Sequence, residues 1–242
     1  HTSNTKQIYS IINNQLNQRQ MSQLNELQEL RASLAFANCF DIAKAKDAYD
    51  FIIGENEEQP TLNVNVAPLS DGIYYVMNDK TLVPVAHLET INKAKVSGVA
   101  VKMSDKIATV ALHDAADGEE VALTTTENNG SSEFFRPDFW DAMSDWNGEA
   151  NTKDYGDDLN PAINLQSDQY IPSLAQLHLI LLNIKEVNAA LEAVDGSPLR
   201  KEWYWSSTES SAYGSWNVIF GSGCSYGNGK CITGVVRPAV AI

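Results

Sequence analysis

Apolar residues first recur at threes and fours. Ile8, Ile11, Ile12, Leu16, Met21, Leu24, Leu27, Leu30 and Leu34 mark one helical stripe across residues 4–35, with Gln, Asn, Glu and Arg between them. Such a stripe packs on its own domain or forms a short coiled coil that makes the chain a homo-oligomer. A second helix is predicted over 41–53, with Asp41 as N-cap and Gly54 as its stop. From residue 61 the period changes to two. TLNVNV, GIYYVM and TLVPVAHL read as three short strands, the last two separated by the turn-like MNDK. Three strands of this length cannot hold a core alone, so this small β module must pack on its neighbours. VSGVAVKM and KIATVALHD follow as a hairpin around Ser104 and Asp105. FFRPDFWDAMSDW is expected to be helical, with Phe139, Trp140, Met143 and Trp146 on one stripe and Asp138 as N-cap. The polar run from Asn147 to Tyr170 is read as a long loop, a kind of segment that is usually functional. Ser173 and Gln176 then form a capping-box pattern ahead of Leu174, Leu177, Ile180 and Leu181, and a second helical half over 185–194 ends at Gly196.

The closing stretch, 203–242, follows neither pattern cleanly. Between Ser206 and Gly234, 17 of 29 residues are Ser, Gly, Tyr or Asn. A flexible linker of that composition would lack apolar anchors, yet Trp203, Trp205, Trp216, Val218, Phe220, Val235 and Val236 recur at strand-like spacing. Small polar residues and tyrosines on a rigid strand frame make a binding surface. Tyrosine gives contact area at low entropic cost, and Ser, Gly and Asn give adaptable hydrogen bonds. Alternation predicts Ser215, Asn217 and Ile219 on the outward face, opposite Trp216, Val218 and Phe220.

Charge sharpens this contrast. The net charge is −14, and residues 114–158 hold 13 acids against Arg136 and Lys153. Nucleic acid needs a basic footprint and is excluded as a partner, as are anionic membrane surfaces. Membrane insertion is not expected, because no run approaches the roughly 18 apolar residues of a spanning helix. No leader-like stretch opens the sequence. Residues 206–234, by contrast, carry only Glu209 and Lys230.

No catalytic constellation is apparent. His1, His87, His113 and His178 are scattered without metal-ligand spacing. Asp154, Asp157 and Asp158 could share a calcium ion with nearby carbonyls, but they lack EF-hand spacing and read first as a solvated acidic loop. Ser206, Ser207 and Thr208 have no nearby His or Lys to activate them and read as strand or turn hydroxyls that hydrogen-bond locally. No cofactor is expected. Cys39 reads as a buried small hydrophobe, while Cys224 and Cys231 either bridge a hairpin or remain free thiols. Arg237 is expected to lock the chain end through a buried ion pair with Glu209.

The order GVAV…KIATVALHD, NGEANT, YIPSLAQL, YWSSTE, SW, VVRPAVA resembles C-type-lectin-fold domains of the branch that includes formylglycine-generating enzyme, over about residues 94–242. Residues 72–113 also resemble proteins of gut bacteria and their phages that carry this domain. Within the branch the chain looks most like the variable proteins of diversity-generating retroelements, in which adenine-directed mutation diversifies a C-terminal ligand-binding surface. That resemblance implies a variable face of Ser210, Ser211, Tyr213, Ser215, Asn217, Ile219, Ser222, Cys224, Tyr226, Asn228, Lys230 and Ile232 on a frame of Trp205, Trp216, Phe220, Arg237 and Pro238. Gly234 also belongs to the residue set that such mutation produces. Sugar-binding relatives carry Trp-Asn-Asp at a calcium site. This chain has Trp216-Asn217-Val218 instead.

The expected architecture is therefore α+β. An N-terminal helical segment (1–58) and a small β module (59–93) precede a C-type-lectin-like domain (94–242). The expected function is non-enzymatic binding of a protein or surface-glycan receptor through 206–234, outside the cell, on a phage virion or bacterial surface. Oligomerisation through residues 4–35 would add avidity. Two alternatives are a structural module of a phage tail, pilus or cell surface without its own ligand, and a formylglycine-generating-type oxidase. The oxidase would need a reactive cysteine pair, and only Cys224 and Cys231 could supply it.

Overall fold

The computed structural model describes residues 69–126 and 130–242. The two expected N-terminal helices, the segment 4–35 expected to oligomerise, the expected strand at 61–66 and Cys39 lie outside these residues. The described region is an α+β unit beginning at Ser70.

Its first sheet is antiparallel in the order β2-β1-β3-β4, made of Gly72–Met77 (β1), Leu82–Pro84 (β2), Val96–Met103 (β3) and Lys106–Ala111 (β4). β-branched residues dominate β3 and β4, and Val99, Val101 and Val110 are fully buried. The β3–β4 hairpin turns where expected. Ser104 sits there at φ 53°, and its N–H donates to Asp71 Oδ1 at 2.7 Å. β1 pairs with β3 from Gly72↔Lys102 to Met77↔Val96, so no domain boundary separates residues 72–84 from 96–111. The expected division at residue 93 therefore does not appear in this sheet. TLVPVAHL is strand only as far as Pro84, which has no N–H to continue a ladder. Val85–Thr90 continues as a 3-10 helix.

Four α-helices follow among the described residues. Asp138 caps Phe139–Met143 (α1), accepting from Trp140 N at 2.8 Å and Asp141 N at 3.4 Å. The helix expected across 134–146 is confined to these five residues. Pro137 precedes the cap, and beyond the helix Asp145 Oδ1 takes the Asn147 N–H into a turn at 2.9 Å. Part of the expected long loop is instead the helix Gly148–Tyr155 (α2). Its polar residues show no apolar stripe because hydrogen bonds hold its inner face. Thr152 Oγ1 donates to Gly148 O at 2.7 Å and accepts from Ile171 N at 2.9 Å. Leu174–Leu182 (α3) starts with the predicted capping box, and Ile184–Ala193 (α4) continues it after Asn183.

The second sheet is β7-β8-β9: Trp203–Glu209, Gly214–Ile219 and Ser225–Gly229. Between them, α3 and α4 pack the first sheet and β7–β8 into the main core, which includes Tyr75, Val99, Leu177, Ile180, Leu191, Tyr204 and Val218. A smaller core behind the other face of β7 joins Leu123, Tyr155, Ile163, Ile171, Trp205 and Val236. Two-residue strands tie down the edges: Val121–Ala122 (β5) pairs with Thr233–Gly234 (β10), and Gln169–Tyr170 (β6) with Ala239–Val240 (β11).

Arg237 does anchor the chain end, but not through Glu209. Its Nε donates to Asp114 Oδ1 at 2.7 Å, Nη1 to Ala111 O at 3.0 Å and Nη2 to Ser197 O at 3.0 Å, all from a fully buried side chain. The geometry explains the change of partner. Val235 hydrogen-bonds with Trp203 and Trp205 near the start of β7, so Arg237 enters at the end of β4, while Glu209 lies at the far end of β7.

Candidate binding surface

The surface rests on a bulge in β7. The β7–β8 register runs Trp205↔Asn217 and then jumps to Glu209↔Ser215, leaving Ser206, Ser207 and Thr208 opposite Trp216 alone. Each of their hydroxyls is engaged. Ser206 Oγ donates to Trp216 O at 2.8 Å, Ser207 Oγ to Gly148 O at 3.3 Å, and Thr208 Oγ1 to Asp145 Oδ2 at 2.7 Å. Thr208 Oγ1 also accepts the Leu174 N–H at 2.9 Å. All three donate to partners distant in sequence rather than to local ones as expected. Asp145 is the centre that sequence reasoning missed. Buried and acidic, it accepts from Thr208, from Asn151 Nδ2 at 2.6 Å and from the Asn147 N–H, and it joins β7 to the start of α2. The Asp-Trp-Asn turn was its only sequence signal.

Beyond the bulge, Glu209 and Lys230 form a buried ion pair where the outer loops leave the frame. Lys230 Nζ also lies 5.6 Å from the centre of the Tyr155 ring. Burial pushes the Glu209 carboxyl up to about 6, partly opposed by the Lys230 charge. Burial, reinforced by the Glu209 charge, drives the Tyr155 hydroxyl well above its usual range. That hydroxyl stays within 3.2 Å of Ser215 Oγ and 3.3 Å of Ser207 O. Ser215 Oγ is within 2.9 Å of Ser206 O and 2.8 Å of Thr208 O, which stitches the bulge closed.

Three residues expected on the outward face are therefore interior. Ser215 and Asn217 are buried because β8 is the central strand of its sheet and both its faces are covered. They do alternate with Trp216 and Val218 as expected, but that face meets Trp205 and the Tyr155 side of the smaller core. Lys230 is buried because its ammonium turns inward to Glu209. Asn217 is exceptional in another way: neither Oδ1 nor Nδ2 has a hydrogen-bond partner.

The rest of the expected face is at the surface. Tyr213, Tyr226 and Ile232 are 60%, 52% and 46% exposed. Ser222 and Cys224 are exposed, and Ser210, Ser211, Ile219 and Asn228 are half-buried. The β7–β8 turn is fixed by Ser211 Oγ, which accepts from Tyr213 N at 3.2 Å and Gly214 N at 3.1 Å. Cys224 and Cys231 are both free and exposed. With its two charges paired inside, this surface presents neutral tyrosine, serine, asparagine, glycine and isoleucine.

An aromatic ledge adjoins it that the sequence had placed in a helix stripe. Trp216, expected as frame, donates Nε1–H to Arg136 O at 2.7 Å and packs edge-on against Phe139, with ring centres 5.9 Å apart. Phe139 meets Trp140 at 5.3 Å, and Trp140 is 74% exposed. On its other side Phe139 lies 6.3 Å from His178, whose Nε2 is 2.8 Å from Ser225 Oγ in β9.

Elsewhere, Asp154 accepts the Ser131 N–H at 2.8 Å and Asp158 Oδ1 the Thr126 hydroxyl at 2.9 Å, while His113 pairs with Ser197. No helix among the described residues is long and apolar enough to cross a membrane. No family model and no curated protein matches the chain. Among solved structures it is similar to a fimbrial protein from Bacteroides ovatus, at 15% identity and a TM-score of 0.47, over 72% of this chain and 49% of that one. The chain thus spans about half the length of that protein, and the likeness is too distant to bear on function.

Proposed function

We propose that this chain is a non-enzymatic binding protein that presents the rim of residues 210–232 to a receptor outside the cell. One observation carries this reading. Tyr213, Tyr226 and Ile232 stand exposed on loops and an edge strand whose base is locked by a buried ion pair and a hydrogen-bonded bulge. Rigid presentation of aromatic and small polar side chains lowers the entropic cost of binding. The binding set is Ser210, Ser211, Tyr213, Ile219, Ser222, Cys224, Tyr226, Asn228 and Ile232; Ser215, Asn217 and Lys230 belong to the scaffold.

The motif order supports a C-type-lectin-like domain, and the residue types on the rim fit a surface diversified by a retroelement. The receptor is a protein or a surface glycan. The setting is a phage virion or a bacterial surface, with residues 4–35 making a homo-oligomer. The test compares the full chain with a Tyr213→Ser/Tyr226→Ser variant on an arrayed panel of glycans and cell-surface proteins. The expected result is a loss of at least about tenfold in affinity, typical of aromatic anchors, with an unchanged melting temperature. Equal binding by both chains would refute the reading. Sequencing the locus in independent isolates tests diversification separately: substitutions should fall at the nine rim codons and spare codons 215, 217 and 230.

A further inference from the structure

The outer edge of β9 is an open row of backbone groups. β9 lies at the margin of its sheet, and no strand among the described residues pairs with its far side. The direction of its amides follows from the bonds at its two ends. Ile219 N donates to Cys224 O at 2.8 Å, and Lys230 N donates to Tyr213 O at 3.0 Å. With Asn217↔Tyr226 and Ser215↔Asn228 in register between them, antiparallel alternation turns the amides of Tyr226 and Asn228 toward β8. Those of Ser225 and Gly227 therefore point away from the sheet. Natural edges are normally guarded by a charge, a proline, a bulge or a covering element. β9 reads Ser-Tyr-Gly-Asn-Gly and has neither charge nor proline, and Gly227 is exposed.

The aromatic ledge is an independent observation at the same place. Gly227 sits opposite Trp216 in the register, so no side chain covers that indole from β9. Phe139 touches both the Trp216 ring and His178, and His178 holds Ser225. Phe139 therefore lies on the sheet face that carries Ser225 and Gly227, with Trp140 as its exposed extension. The acids Asp138 and Asp141, both exposed, flank these rings.

Alternating outward N–H and C=O groups are matched in full only by another extended backbone. We propose that the β9 edge takes up an extended peptide segment of a partner protein as a fourth strand, pairing with Ser225 and Gly227, placing an apolar side chain on Trp140 and a basic one toward Asp138 and Asp141. This rests on the binding reading above and names its partner class. Tyr226 then borders the added strand on the opposite face, where rim substitutions tune which segment is accepted.

The probe is a displayed library of random linear dodecapeptides panned on the full chain. Enriched peptides should alternate apolar and basic residues and slow hydrogen exchange at the Ser225 and Gly227 amides. Trp140→Ala should weaken them at least about tenfold, as loss of an aromatic anchor does. Gly227→Pro should weaken them by a similar factor. A proline at an outward edge position removes the N–H without breaking the ladder to β8, and Gly227→Ala, which keeps that N–H, is the matched control. Should the proline variant fail to fold, Trp140→Ala and the exchange measurement decide. The proposal is overturned if no linear peptide is enriched or if binding is indifferent to both variants. It is equally overturned if the two amides are already protected in the free full chain. Binding that survives both variants but is lost in Tyr213→Ser/Tyr226→Ser removes the edge proposal and leaves the binding reading standing.

Discussion

The Glu209–Lys230 pair is where the physical account is most exposed to test. Both side chains are buried, at the point where two rim loops leave the sheet. Lys230→Met keeps the length of the stem and removes the charge, leaving a buried carboxylate. Breaking a buried pair on one side costs about 3–5 kcal/mol, whereas replacing both partners with apolar residues of similar volume is often close to neutral. For a domain of this size each kcal/mol moves the melting temperature by about 2–4 °C. Lys230→Met should therefore melt about 6–20 °C lower. The double variant Glu209→Leu/Lys230→Met should recover most of that loss. Calorimetry at pH 7.5 on the three chains decides it. A Lys230→Met loss of less than about 1 kcal/mol would be that of an exposed pair and would refute the buried-anchor account, as would a double variant no more stable than Lys230→Met.

The same carboxyl predicts a pH dependence whose sign is opposite to that of most ion-paired acids. Burial raises Glu209 from 4.5 to about 6, so the folded chain holds this proton more tightly than the unfolded chain. Its favourable contribution is complete below 4.5 and is lost as pH rises through 6. The difference is at most about 2 kcal/mol, the unscreened bound at 1.36 kcal/mol per pKa unit. In a comparison of parent and Glu209→Leu/Lys230→Met, the parent's relative stability should fall between pH 4.5 and 6.5 and be flat above. A relative stability that rises across that window would contradict the assignment.

Three further outcomes follow from other parts of the structure. Asn217→Leu replaces a buried amide that has no hydrogen-bond partner, so it should stabilise the chain by about 1–3 kcal/mol; a lower melting temperature would mean that the amide is satisfied in solution. Ser173→Ala removes the hydroxyl that caps α3 and donates to Asp145 O at 2.6 Å, and should cost about 1–2 kcal/mol by chemical denaturation. Cys224 and Cys231, both exposed thiols, should each be alkylated by iodoacetamide in the native chain and identified by peptide mass spectrometry; protection of the two together would indicate a bridge.

Much of the described fold was legible because its strands are strongly patterned. The β3–β4 hairpin, the Asp138 cap and the Ser173–Gln176 capping box each announced themselves through alternation or cap chemistry. Helix α2 did not, since Asn151 and Thr152 face inward through hydrogen bonds to Asp145 and Ile171, and hydrophobic periodicity is blind to a polar buried face. Arg237 was readable as a buried anchor, but its partner was not. Asp114 is 123 residues away in sequence, and its meeting with Arg237 depends on β11 lying against β4. The rim was misread at Ser215, Asn217 and Lys230 for a related reason. Alternation says that successive side chains point to opposite faces, but it cannot say that β8 is a central strand with both faces covered.

That misreading has a consequence for how such a surface can change. A side chain in the interior of β8 is tied to the frame. Ser215 closes the β7 bulge and touches Tyr155, which sits against Lys230 and in turn Glu209. Substitution there would disturb the base from which the rim loops spring. At Tyr213, Ser222, Cys224, Tyr226 and Ile232, no buried contact is at stake, and exposed positions of this kind tolerate exchange within about 0.5 kcal/mol. A binding surface that varies must keep these two classes apart. The bulge does so by sequestering three consecutive hydroxyls, Ser206, Ser207 and Thr208, in frame hydrogen bonds while the same residue types a few positions later are left facing solvent. A library randomised only at the five exposed positions should therefore yield mostly folded chains, as judged by protease resistance on display, whereas one randomised only at Ser206, Ser207, Thr208, Ser215 and Lys230 should yield few. Comparable folded fractions in the two libraries would show that the separation of frame from rim is not where the structure puts it.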